Sequence, residues 1–371
     1  MKHMKNSKKD SEYHKNKIFE ACKPFGISGY EDDIRDYVKD KFDSLGIEYR
    51  IDNIGNIIGH IKGKQKDAPK IMLTAHMDTC GLLVKGFTNT DYWSEGAYIV
   101  FDIVGGFDRT NLSSSVVEIK TEDDYTVSGI ISDLSVHLVG EEEARTGYVS
   151  EMADRVGNFV IDIGAKDAED IRKLGVNIGS PIRQVSSPVM LTNNIICGPG
   201  MDDRVGIAAL LEIAGELKGG TDVDLFIVCS VCEEVDLSGC ACATYGIAPD
   251  FIIGIDTTMT KEHMLDDHSP VPYLGRGPSI MFGPFVDRKL SKVIEQAASN
   301  IKISVQRETS GTPGGVESYE GRIKKAGYKV SQIGIPTKYL HTTVEAISLN
   351  DYMGMVKLLM HVLTHIKRFP K

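Results

Sequence analysis

A chain of 371 residues exceeds the usual span of one hydrophobic core and points to two domains, one of them inserted in the other. Hydrophobic residues at 42% and charged residues at 25% are the balance of an ordinary globular protein and exclude a disordered or fibrous one. A net charge of -10 excludes nucleic acid as the expected partner, since affinity for a phosphate backbone rests on Lys and Arg displacing counterions.

The chain opens on basic residues from Lys2 through Lys17, a polar stretch without the apolar centre of a signal peptide, read as a disordered tail over residues 1–16. No run of 18 apolar residues follows anywhere, so no membrane span is expected and the cytoplasm is the default compartment. Seven cysteines, an odd number, suit reduced thiols. Cys229, Cys232, Cys240 and Cys242 raise the question of a zinc site. However, Cys229 lies in an apolar strand pattern, where residues three apart point to opposite faces, and the four are read as small packing residues.

After the tail, IFEACKPFGISGYEDDIRDYVKDKFDSLG carries apolar residues at helical spacing on both sides of a Pro24 to Gly29 break, which predicts two helices. Alternating strands EYRIDN and GNIIGHIKG meet at an Asn53 to Gly55 turn, and PKIMLTAHMD follows as a buried strand ending in polar residues. From 82 to 190 the texture turns to short β-rich pieces with one helix near Asp167 to Leu174, the pattern of an inserted β domain. Helices and apolar strands alternate again after Asn194, up to a last helix over Asp351 to Lys367. Residues 17–81 and 191–371 are therefore expected to form one α/β/α domain on a mixed, largely parallel sheet, with a small barrel-like domain inserted over 82–190.

In open α/β sheets ligands gather beyond the carboxyl ends of the strands. Four strand patterns end in metal-competent residues there: His76 and Asp78, Glu233 and Glu234, Asp256, and the stretch leading to His341. Asp202, Asp203 and Arg204 form a turn before an amphipathic helix. Each alone reads more simply as a cap or turn residue. Convergence of so many carboxylates in one cleft requires cations to neutralise them. Two His with several carboxylates and no thiolate suit a hydrolytic Zn²⁺ or Co²⁺ pair. Asp78, two residues from His76, is placed to accept a hydrogen bond from the second imidazole nitrogen. Adjacent Glu233 and Glu234 cannot point the same way, so one is expected to hold metal and the other to handle the proton of the bound water.

These motifs resemble the M42 family of metallo-aminopeptidases, the glutamyl and tetrahedral aminopeptidase group. The resemblance runs over nearly the whole chain after the tail. It is carried by TAHMDTCG from Thr74 to Gly81, DIGAKDAEDIRKLGVNIGSPI from Asp162 to Ile182, MDDRVGIAALLE from Met201 to Glu212, EEVDLSGC from Glu233 to Cys240 and IPTKYLH from Ile335 to His341. It implies two divalent metal ions per subunit, with His76 and Asp256 on one, Glu234 and His341 on the other, Asp202 bridging, Glu233 as general base and Asp78 orienting His76. It further implies peptide substrates, a cis peptide after the bridging Asp, and self-association, up to a dodecamer, with the inserted domain serving assembly. The chain departs from the family pattern at Gly314 to Ser318, where GGTDA is usual, at Asp236 and Ser238, and at Thr79 and Cys80, segments expected to line the substrate pocket.

Three other readings compete with this one. A deacylase or carboxypeptidase-like metallohydrolase shares the chemistry. A glycosidase would leave the two His and the metals without a part. A non-catalytic assembly protein on this scaffold would be expected to have lost a ligand or Glu233, and neither is lost.

Overall fold

Successive side chains of a strand point to opposite faces, so a strand that is apolar throughout must be covered on both. The computed structural model describes residues 2–88, 96–107, 109–132, 159–262, 271–312 and 316–365. The chain divides into two compact units: Met1–Thr79, Ser187–Leu340 and Val344–Lys371 form one, and Cys80–Ser186 with His341–Thr343 the other. The insertion expected over 82–190 thus begins and ends a few residues earlier, and the tripeptide carrying His341 groups with it.

In the first unit lie β1 (Glu48–Ile51), β2 (Ile57–Ile61) and β3 (Lys70–His76). The second unit holds β4 (Gly81–Phe87), β5 (Ile99–Val104), β6 (Val116–Lys120), β7 (Thr126–Ile131), β8 (Ile161–Asp162) and β9 (Pro181–Gln184). The chain then returns to the first unit through β10 (Val189–Met190), β11 (Ile195–Gly198), β12 (Asp224–Ser230) and β13 (Phe251–Met259). It completes the sheet with β14 (Ser279–Met281), β15 (Gln306–Glu308), β16 (Lys329–Lys338) and β17 (Glu345–Ser348).

The first unit's mixed sheet runs β1-β2-β12-β3-β13-β16-β17-β11-β10, with β14 and β15 attached beside β16. Its centre, β12-β3-β13-β16, is parallel. Both flanks of that centre continue antiparallel. The helices of this unit are α1 (Lys2–Ala21) and α2 (Asp32–Leu45). The second unit's α3 (Ala168–Lys173) follows, and α4 (Met201–Leu217), α5 (Glu233–Asp236), α6 (Ser238–Ile247), α7 (Arg288–Asn300), α8 (Glu317–Arg322) and α9 (Leu349–His365) belong to the first.

The alternation is visible residue by residue. Ile71, Leu73 and Ala75 of β3, Leu225 and Ile227 of β12, and Phe251, Ile253 and Ile255 of β13 enter the main core shared with α1, α2, α4, α7 and α9. Met72, Val228 and Ile252 between them face a second core with Cys240, Ala243 and Ile247 of α6. Helices on both faces make the three layers. Because His76 stands four residues after Met72, it faces the α6 side at the carboxyl end of β3.

The tail expected over residues 1–16 is instead the front of α1. His14, Ile18 and Ala21, spaced four and three apart, are buried on one stripe, and His14 Nδ1 lies 2.7 Å from Glu212 Oε2 of α4. Once that stripe is packed, extending a helix backwards through lysines is cheap, because nucleation is already met and Lys is a good helix former.

The second unit closes a barrel in the order β4-β5-β8-β7-β6-β9, which leaves no open sheet edge. Its interior is filled by Leu82, Val84, Ile99, Val117, Ile119 and Ile182, with Ile171 of α3 packed alongside. None of the described helices is long and apolar enough to cross a membrane.

Candidate metal centre

At the end of β3, His76 is 1% exposed, and its two nitrogens meet opposite surroundings. Nδ1 lies 3.0 Å from the main-chain oxygen of Asp78, an acceptor, so Nδ1 carries a proton and Nε2 is the nitrogen that can turn a lone pair to a cation in place of its own proton. Nε2 faces Asp202 Oδ1 at 3.1 Å, Asp256 Oδ1 at 3.8 Å and Glu233 Oε2 at 3.9 Å. The Asp78 carboxylate, expected to take the second imidazole nitrogen, stands 3.6 Å from it. That carboxylate is already committed: Ser28 Oγ donates to it at 2.6 Å, and the N–H groups of Glu233 and Glu234 at 3.1 and 3.2 Å.

Those last two bonds explain how adjacent glutamates diverge. β12 ends at Ser230, and Cys232 takes a left-handed conformation (φ 57°) that turns the chain into the short α5. Glu233 comes back into the buried cluster, 7% exposed. Glu234 is half-buried and outside that cluster. Asp202 sits in the first turn of α4 with non-helical backbone, its peptide to Asp203 is cis, and its N–H donates to Glu345 Oε2 at 3.1 Å. His341 belongs to the barrel unit, also in the left-handed region (φ 58°), and its Nδ1 lies 2.6 Å from the Gly106 oxygen. As at His76, an acceptor on Nδ1 makes Nε2 the nitrogen that could ligate a cation.

The charges in this cluster do not balance by themselves. Burial pushes the Glu233 carboxyl up to about 10, with Asp256, Asp202 and Glu234 adding to the effect against the pull of His76. Burial also lifts Asp256 to about 7, despite the hydrogen bond with His76. Burial disfavours charge on His76, yet Glu233, Asp202, Asp256 and Asp78 outweigh it and draw a proton to the ring. Whatever draws protons to buried carboxylates draws cations. Glu233 Oε1 and Asp256 Oδ2 are buried without a hydrogen-bond partner among the described residues. His76, Glu233 and Asp256 can bring one donor atom each within 4.8 Å of one another. An imidazole lone pair, carboxylates and unsatisfied oxygens at one point fit a divalent cation of the zinc type.

Several residues of this region carry no signal in the sequence. Arg204, 2% exposed, donates to the main-chain oxygens of Ala21, Pro24 and Gly26 at 3.0 to 3.2 Å and ties the α1–α2 connection to the Asp202 turn. Glu31 accepts from the N–H of Cys232. The segment expected in the substrate pocket differs: Glu317 is 1% exposed and accepts hydroxyl protons from Thr74 Oγ1 at 2.5 Å and from Ser230. Ser318 Oγ donates to Gln332 inside the fold at 2.7 Å. A carboxylate between two hydroxyls on β3 and β12 is satisfied in the interior, which is why Glu317 does not need solvent. Gly314 and Gly315 lie outside the described residues. Cys229, Cys232, Cys240 and Cys242 are free thiols, and among the described residues none joins a grouping of three metal-competent side chains.

A three-layer α/β/α unit with such a cluster at its strand ends, interrupted by a barrel, suits a metal-dependent hydrolase, and comparison with known proteins gives its class as aminopeptidase. The family model for M42 glutamyl aminopeptidases matches residues 55–358, and the chain belongs to that family. The lysyl aminopeptidase of Pyrococcus furiosus is 31% identical over 92% of this chain and 94% of its own. Among solved structures, an aminopeptidase of Desulfurococcus kamchatkensis superposes with a TM-score of 0.85 at 26% identity, covering 96% of this chain and 95% of its own. The Pyrococcus horikoshii TET1 peptidase, described as assembling into a tetrahedron or a large octahedral shell, reaches 0.80 at 27% identity over 95% and 100% of the two chains.

Proposed function

We propose that this protein is a dinuclear metal-dependent aminopeptidase that removes N-terminal residues from peptides. The observation that carries the reading is the buried Nε2 of His76 facing three carboxylates, two of which hold unpartnered oxygens. His76 and Asp256 would hold one ion, Glu234 and His341 the other, with Asp202 between them, and the donor set suits Zn²⁺ or Co²⁺. Bound, the ions supply Lewis-acid polarisation of the scissile carbonyl and acidify the attacking water.

The remaining work falls to the chain. Glu233 is the general base: with cations neutralising the cluster its carboxyl would be ionised, and its oxygen without a hydrogen-bond partner among the described residues would take the proton of the water and pass it to the leaving amine. Asp78 positions the turn carrying Glu233 and Glu234 rather than reacting. Self-association is part of the same reading, supported by the tetrahedron or octahedral shell described for the TET1 relative.

The test is a zinc- or cobalt-loaded assay on paired peptides that differ only at the α-amine. Free peptides should be cut far faster than their Nα-acetylated counterparts; equal rates would move the assignment to an endopeptidase or a deacylase.

A further inference from the structure

Adjacent glutamates with different tasks need a backbone that cannot relax. The turn after β12 is pinned at three successive amides by two carboxylates from elsewhere in the first unit. Cys232 N–H donates to Glu31 Oε1 at 3.1 Å, Glu233 N–H to Asp78 Oδ1 at 3.1 Å, and Glu234 N–H to Asp78 Oδ2 at 3.2 Å. Asp78 is braced by Ser28 Oγ at 2.6 Å, and Glu31 Oε1 also receives the N–H of Gly29 at 2.8 Å. Both braces sit on one connection, residues 27–31, which a bridge between Ile27 and Thr79 fixes beside the end of β3. Glu31 is 4% exposed.

Cys232, the first pinned residue, is left-handed (φ 57°, ψ 31°), a conformation that a residue with a Cβ adopts only when its surroundings hold it. Its own oxygen accepts the N–H groups of Asp236 and Leu237, so this one residue anchors the start of α5 through both its N–H and its oxygen. If Cys232 relaxed to the ordinary region, the direction of the next residue would change and Glu233 would leave its place 3.9 Å from His76.

We propose that Glu31 is a positioning residue for the reaction: its carboxylate oxygen holds the left-handed turn at Cys232 and thereby aims Glu233 into the cluster while Glu234 is directed elsewhere. This rests on the function proposed above for Glu233. The role is that of an acceptor, not of a charge, so glutamine can fill it.

The experiment uses the full chain loaded with zinc, as wild type, Glu31→Gln and Glu31→Ala. Hydrogen exchange of a peptide spanning residues 229–240 is read beside metal content and steady-state kinetics. Glu31→Ala should lose protection at the amides of 232–234 and lower kcat by about 10-fold or more with KM and metal content nearly unchanged, the signature of a misaimed group. Glu31→Gln should keep both protection and most of kcat. Wild-type protection and kcat in Glu31→Ala, or equal impairment of the two variants, would overturn the assignment. If wild-type protein cut no peptide, the proposed function would fail, and the exchange data would still decide whether Glu31 holds the turn.

Discussion

Glu233 and Glu234 are chemically identical neighbours whose surroundings separate them. Glu233 is buried against His76 with one oxygen unpartnered, and Glu234 is half-buried. Glutamine is nearly isosteric with glutamate but neither takes a proton at neutral pH nor ligates a divalent ion well. Glu233→Gln should therefore lower the rate by about 10² to 10⁴ while both ions stay bound, the usual worth of a positioned base. Glu234→Gln should lower metal occupancy instead. Metal analysis beside kinetics separates the outcomes, and loss of metal from Glu233→Gln with full retention in Glu234→Gln would exchange the roles. The two residues and their chemistry were legible in the sequence. Their division of labour entered only as what the resemblance implies, and the turn that directs them apart was not legible, because it depends on Glu31 and Asp78, about 200 and 155 positions away.

At the scale of elements, α1 shows where local patterning misleads. A charged opening segment reads as unstructured through residue 16, yet it continues the helix that buries Ile18, and His14 within it meets Glu212 across the helix pair. Ile18→Ala should cost about 2 to 5 kcal/mol, the usual range for emptying a buried aliphatic site, read as a lowered urea midpoint at unchanged m-value. An unaltered midpoint would return residues before Ala21 to the status of an appendage. The same helix end supplies the Ala21 oxygen to Arg204, so its packing reaches the backbone beside Asp202. By contrast the strands β3, β12 and β13 were readable, since a run that is apolar throughout and ends in acids has few other places to go.

For the whole molecule, the proposal to test is self-association. The barrel unit exposes Val116, Ile130 and Ile178, the last at 71%, and the sheet edge exposes Val189, Met190 and Leu191. Only contiguous exposed apolar surface marks a face that meets other chains, and of these residues Val189, Met190 and Leu191 are consecutive. Light scattering should report a mass several-fold above the 40.7 kDa chain. A fully active species of that single-chain mass would sink the assembly reading.

What the sequence by itself determined is the three-layer unit and its β-rich interruption, with the strand-end acids and histidines as candidates for the chemistry, because strand alternation and turn residues are local signals repeated along the chain. What only the tertiary structure decided is which atoms face one another: the Asp78 main-chain oxygen rather than its carboxylate on His76, Glu317 inside the fold between Thr74 and Ser230, Arg204 on three main-chain oxygens, Glu31 on the amide of Cys232, and His341 grouped with the barrel unit. Each of these is a hydrogen bond or grouping that depends on how the chain is packed. A buried donor or acceptor must find a partner, but its own residue type does not say which part of the chain will supply it.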